Sequence, residues 1–143
     1  MIVSIVVGTD GSDTASEAVR QAGDLAKSVG ATIHVVSAYQ PVSGARVGGD
    51  GEPENSVGPD FEVDAVLEQA AGMMRTRGVE CECHARKRGD PADAILDVAE
   101  EHDADLIVVG SKGMQGAKRF LLGSVPNKIS HHAPCSVLIV RTT

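Results

Sequence analysis

Aromatic residues are almost missing from this chain: it has no tryptophan, one tyrosine and two phenylalanines in 143 residues. A core built without large rings must be aliphatic. Cysteine is equally sparse. Cys81, Cys83 and Cys135 form neither an even disulfide set nor a CxxC pair, which fits a reducing cytosol better than a secreted scaffold. Cations are outnumbered, 13 against 20 acidic residues, for a formal charge of -7. That balance argues against the broad basic footprint of a nucleic-acid-binding surface, so any anion site must be local. No apolar run approaches the roughly 20 residues that a membrane-spanning helix needs. The opening MIVSIVVG has no basic segment before its apolar run and reads as a strand, not a signal peptide.

What is present is an alternation of short apolar runs with helical patterns. The runs are 2-IVSIVV-7, 32-TIHVVSAY-39, 79-VECECHARK-87, 105-DLIVVG-110 and 135-CSVLIVR-141. Between the first two, Ala15, Ala18, Val19, Ala22, Leu25, Ala26 and Val29 recur at helical spacing, with Thr14 and Glu17 as an expected capping box and Gly30 as the stop. Val63, Val66, Leu67, Ala70 and Met74 mark a second helix, ending at Gly78. Asp90-Pro91 opens a third, carrying Ala92, Ile95, Leu96 and Ala99. Ser124 is the expected N-cap of a fourth, with Pro126 in its first turn and His131 and His132 in its last, where the dipole favours cations. Residues 40–59, rich in Gly and Pro, read as a long loop. This order predicts one α/β domain over residues 1–143, a doubly wound parallel sheet with helices on both faces.

In the third run, alternation predicts Val79, Cys81, Cys83 and Ala85 on the inward face of an edge strand, where the two thiols would pack and not catalyse. The run Arg86-Lys87-Arg88 reads as a solvated basic cluster.

In such sheets ligands bind at the carboxyl ends of the strands, where strand order reverses. Two loops there are rich in glycine and small polar groups, 8-GTDGSD-13 and 110-GSKGMQGAKRFLLGSVPNK-128. Gly110, Gly113 and Gly123 let backbone N–H groups approach an anion without a Cβ in the way. Ser124 and Val125 offer N–H groups at a helix start, and Lys112, Lys118 and Arg119 supply charge. From the residues alone two readings stand side by side, a phosphate cradle or glycines that merely serve turns and caps. Likewise Asp10 fits either a ribose-binding carboxylate or a turn and cap residue. Neither GK[ST] nor GxGxxG occurs, which sets aside a Walker A loop and the dinucleotide fingerprint.

The spacing of Gly110, Gly113, Gly123 and Ser124, G-x2-G-x9-G-[ST], resembles the nucleotide-binding motif of the universal stress protein family. VVGTDGS, HVVSAY, RKRGDPADAILDVAEEHDADLIVVGSKG and APCSVLIVR are similar to that family's landmarks, in order along nearly the whole chain. The resemblance implies five strands in the order 3-2-1-4-5 and binding of ATP, with Mg²⁺. It implies that Asp10 meets the ribose hydroxyls beside Thr9, and that the backbone of Ala38 meets the adenine edge. Gly110, Gly113, Gly123, Ser124 and Val125 would hold ribose and phosphates, with Ser111 and Lys112 between them. It further implies a homodimer through the last strand, residues 135–141. With so few aromatics, the base would be held by aliphatic packing and backbone hydrogen bonds.

The function expected is a cytoplasmic, ATP-binding regulator of a stress response or of dormancy. Two alternatives accompany it. A slow ATPase or autophosphorylating enzyme would use Ser111 or Ser124, although no Ser-His-Asp or Cys-His set can be nominated. A dimeric interaction module would need no nucleotide. A phospho-acceptor receiver domain fits less well, since Asp10 and Asp13 are separated and no aspartate ends the third strand.

Overall fold

A computed structural model describes residues 1–39, 59–112 and 122–141. Five apolar runs become strands: β1 (Ser4–Gly8), β2 (Thr32–Tyr39), β3 (Cys81–Lys87), β4 (Leu106–Gly110) and β5 (Ser136–Val140). Four helices alternate with them: α1 (Asp13–Val29), α2 (Pro59–Arg77), α3 (Pro91–Glu101) and α4 (Ser124–His132). All strand pairings are parallel, in the order β3-β2-β1-β4-β5. β1 and β4 are therefore neighbours, Val6 opposite Ile107, and their carboxyl ends open into the same crevice.

β1 and β4 bury apolar residues on both faces because each face meets helices, whereas β2 also carries the buried polar His34 and Ser37. Ile5, Val7, Ile33, Val35 and Val108 pack with Ala18, Val19 and Ala22 of α1 and Leu67, Ala70 and Met74 of α2. On the other face Val6, Val36, Ile107 and Val109 pack with Ile95, Val98 and Ala99 of α3 and Val125 and Ile129 of α4. Small residues on α1 let it lie close to its neighbours: a Cβ on Gly23 would sit 2.7 Å from Cε of the fully buried Met74.

The helix stops fall where the sequence places them, Gly30 and Gly78 at φ 74° and 71°, a conformation glycine adopts without a Cβ penalty. Asp90 caps α3, accepting from the Ala92 N–H at 2.9 Å, with Pro91 following it. Two other caps differ from expectation. At α1 the cap is Ser12, whose Oγ accepts from the Ala15 N–H at 3.2 Å. Thr14 is the second residue of the helix, and Glu17 is engaged by Arg20 and Gln21, so no capping box forms. At α4 the cap is Gly123, which leaves Ser124 as the first helical residue and Pro126 in the first turn.

The third apolar run also behaves differently. β3 is an edge strand, as its alternation predicts, but it begins at Cys81, and both Cys83 and Ala85 are exposed. Val79 alone of the four is buried. The polar face is the better occupied one: His84 packs against other imidazoles, and Arg86 makes a two-pronged ion pair with Glu101 at 2.9 and 2.7 Å. Arg88 pairs with Asp93 and Asp97, so part of the basic cluster is neutralised by α3. Among the described residues no helix is long and apolar enough to cross a membrane.

Candidate functional site at the β1–β4 crevice

The loop after β1 is organised by its own side chains. The Thr9 amide donates to the Val36 carbonyl at 2.9 Å, which ties the loop to β2, and Thr9 itself is buried. Its Oγ1 accepts from the Gly11 N–H at 3.0 Å, and Asp10 Oδ1 accepts from the Ser12 N–H at 2.9 Å. These short polar side chains copy backbone turns. Gly11, at φ 85°, completes the bend, and a Cβ there would meet Cγ2 of Val66 at 2.8 Å. Asp10 is thus both a turn residue and an exposed carboxylate facing the crevice, so its two readings are compatible.

Asp10 and Ala38 meet at a cavity of about 270 Å³ that is also lined by Ser37, Tyr39, Glu62, Val63 and Val66. This lies near the lower end of the roughly 300–1,000 Å³ usual for small-molecule sites. The last five residues escaped the sequence reading as site residues. Val63 and Val66 sit at helical spacing and read as core, and only the packing of α2 against β2 turns them toward the crevice. Tyr39, the single tyrosine of the chain, also lines this cavity, where aliphatic packing was expected.

Across the crevice, Gly110 ends β4 opposite Val140, and the Ser111 amide donates to the Val140 carbonyl at 2.7 Å. The Ser111 carbonyl accepts from the Gly123 N–H at 3.0 Å, so the chain leaves β4 and re-enters at α4 through one point. Gly123 has φ −65° and ψ 166°, a conformation open to any residue. Its own backbone therefore does not demand glycine. Ser124 is exposed and Val125 is buried in the core between α3, α4 and the sheet. The N–H groups of Ser124 and Val125 belong to the first turn of α4, where no intrahelical acceptor exists, and Pro126 has no N–H to satisfy. Lys112 is partly exposed at the end of the described segment. Gly113, Lys118 and Arg119 lie outside the described residues, as do residues 40–58 of the loop read over 40–59, whose last residue, Pro59, instead begins α2.

A parallel five-stranded sheet in the order β3-β2-β1-β4-β5 is a doubly wound α/β fold, a class in which ligands bind at the carboxyl ends of the strands where the order reverses. The chain belongs to the universal stress protein family, whose model matches residues 1–141. It is 36% identical over 141 residues to a universal stress protein of Thermus aquaticus, spanning 99% of this chain and 100% of that one. Among solved structures it resembles a universal stress protein in complex with cAMP, with 32% identity, TM-score 0.75, and 99% and 98% of the two chains covered. It also resembles the universal stress protein of Archaeoglobus fulgidus in complex with dAMP, with 30% identity, TM-score 0.73, and 99% and 100% covered.

Proposed function

We propose that this protein binds ATP, with Mg²⁺, in the β1–β4 crevice, and that occupancy regulates a stress or dormancy response in the cytosol through a homodimer. The observation that carries the reading is the cavity that Asp10 and Ala38 share with α2, at the carboxyl ends of β1 and β2. Val63, Val66 and Tyr39 offer apolar surface for a base, the Asp10 carboxylate accepts hydrogen bonds from sugar hydroxyls, and the N–H groups of Ser124 and Val125 point a positive dipole end toward phosphate. The glycine at position 123, which backbone geometry does not require, is consistent with close approach of an anion. Two relatives of the same fold are described as complexes with adenine nucleotides. In this assignment Thr9 positions the loop, and Gly110, Ser111, Lys112 and Gly113 carry the chain around the phosphates.

The test is ion-exchange chromatography of nucleotide released from freshly purified, denatured protein, followed by calorimetric titration of stripped protein with ATP, AMP and cAMP, with and without Mg²⁺. Micromolar ATP binding that Asp10→Ala weakens at least tenfold supports the reading. Preference for cAMP over ATP would replace the triphosphate with a cyclic nucleotide in the same crevice. Absence of any binding would leave the protein as a nucleotide-free dimeric module. Phosphate release above the buffer rate would instead favour the slow ATPase.

A further inference from the structure

The remaining concentration of chemistry lies away from the crevice. His34 is the third residue of β2, Glu82 and His84 are the second and fourth of β3, and His102 follows the last turn of α3. The parallel register sets His34 opposite Glu82 and Val36 opposite His84, so these side chains rise from the same face of the sheet. His102 comes down onto them from the helix layer. The imidazole of His34 stacks on that of His102 with centroids 4.3 Å apart, and the His84 ring lies 5.2 and 4.9 Å from the two.

One ligand atom from each of the four residues can be chosen so that all lie within 4.8 Å of one another. His34 Nδ1 and His84 Nε2 are 3.0 Å apart, and Glu82 Oε1 is 3.7 Å from the first and 3.9 Å from the second. A tetrahedral zinc ion, with bonds of about 2.0–2.1 Å, wants ligand atoms roughly 3.3 Å apart. The observed set needs shifts on the order of an ångström, which the exposed Glu82 and the helix-terminal His102 can supply. His34 is the fixed member, 5% exposed.

The setting favours neutral rings. Burial and the neighbouring His102 hold His34 below the usual imidazole range. Burial, His34, His102 and Arg86 do the same for His84, against the opposing pull of Glu82. Arg86, the cation on the same strand face, is committed to Glu101. One buried imidazole, two half-buried ones and an exposed carboxylate thus converge from β2, β3 and the end of α3.

We propose that His34, Glu82, His84 and His102 form a Zn²⁺ site that fastens the edge strand β3 to β2 and to the end of α3. Imidazole donors with one carboxylate suit zinc among the divalent first-row metals, and four protein donors make a closed, structural site. It is separate from the crevice: His34 precedes Ala38 by about 13 Å along β2, toward the other end of the sheet. The ion would stabilise the sheet edge without touching the nucleotide, and it would bind only the folded chain, because His34, the Glu82–His84 pair and His102 come from three segments separated in sequence.

The experiment is a competition titration of the untagged, metal-stripped full chain with Zn²⁺ against a chromophoric chelator, together with Co²⁺ as a spectroscopic stand-in. The expected result is one Zn²⁺ per chain, a higher melting temperature with Zn²⁺, and a tetrahedral Co²⁺ spectrum without a thiolate charge-transfer band. In His84→Asn/His102→Asn, with folding checked by circular dichroism, affinity should fall at least tenfold. Glu82→Gln, at an exposed position, provides the second variant should the double change fail to fold, and it should weaken binding in the same direction. Three results overturn the proposal: no stoichiometric binding by the unmodified chain, binding undiminished in the variants, or a thiolate band that moves the ion to Cys81 and Cys83.

Discussion

The amide of Gly123 donates to the carbonyl of Ser111 at 3.0 Å, so the end of β4 and the start of α4 are joined by one backbone bond. That bond fixes where the amino end of α4 sits relative to the β1 loop, and it uses the Gly123 N–H. The N–H groups left to receive an anion at this end are those of Ser124 and Val125. A Gly123→Val substitution is compatible with φ −65° and ψ 166°, yet it places a branched side chain where phosphate is proposed to approach. ATP affinity measured by calorimetry should fall at least tenfold while the far-ultraviolet circular dichroism is retained. Undiminished affinity in a folded variant would remove the phosphates from α4.

Gly11 makes a different case, because here the backbone itself demands glycine. At φ 85° an alanine carries a strain of about 1–2 kcal/mol, and its Cβ would also press on Val66 at 2.8 Å. Val66 lines the cavity, so Gly11→Ala should lower the unfolding free energy by at least that amount and weaken nucleotide binding together. Chemical denaturation and calorimetry on the same preparation check both. A stable variant with weakened binding would assign Gly11 to the ligand alone.

Asp105 ties the amino end of β4 to that of β1. Its Oδ2 accepts from the Val3 N–H at 2.9 Å and the Ser4 N–H at 3.0 Å, and its own amide donates to the Ser4 carbonyl at 2.8 Å. The Val3 and Ser4 amides hold the carboxyl below the usual carboxylate range. A group whose folded pKa is depressed contributes stability that is complete above its unfolded pKa and is lost as the pH falls through the folded value. Asp105→Asn should therefore melt at a lower temperature than the parent at neutral pH. The gap should close as both proteins are taken into the acid range, and a gap independent of pH would mean that packing, not charge, is lost.

Much of this fold is legible in the sequence because local and global signals agree. The central strands are continuous apolar runs, and Gly30, Gly78 and Asp90-Pro91 punctuate the helices where the structure does. The capping box failed because Ser12 and Thr14 compete for the same helix end, and spacing alone does not reveal which hydroxyl reaches the free amide. The inward face of β3 failed because an edge strand has a neighbour on one side only, and the polar partners of His84 and Arg86 come from distant segments. The crevice shows the same division. Asp10 and the glycines stand out locally, whereas Val63, Val66 and Tyr39 become site residues only once α2 folds over β2. The imidazole cluster has no local spacing at all, since β2–β3 register and the end of α3 create it.

β5 pairs with β4 on one side, and among the described residues nothing pairs with its other edge. Val137 and Ile139 are partly buried against the α3–α4 layer and Val140 is buried on the opposite face, while Leu138 remains 39% exposed. An apolar edge strand with open N–H and C=O groups is a template for pairing, and a second copy of β5 running antiparallel would satisfy both the backbone groups and Leu138. A two-fold arrangement also brings the same patch to itself, as isologous dimers require. Leu138→Lys places a charge in that seam without entering the core. Sedimentation equilibrium should show a dimer for the parent chain and a dissociation constant raised at least tenfold for the variant, with unchanged circular dichroism. A parent that sediments as a monomer, or a variant that dimerises as tightly, would move the interface off β5.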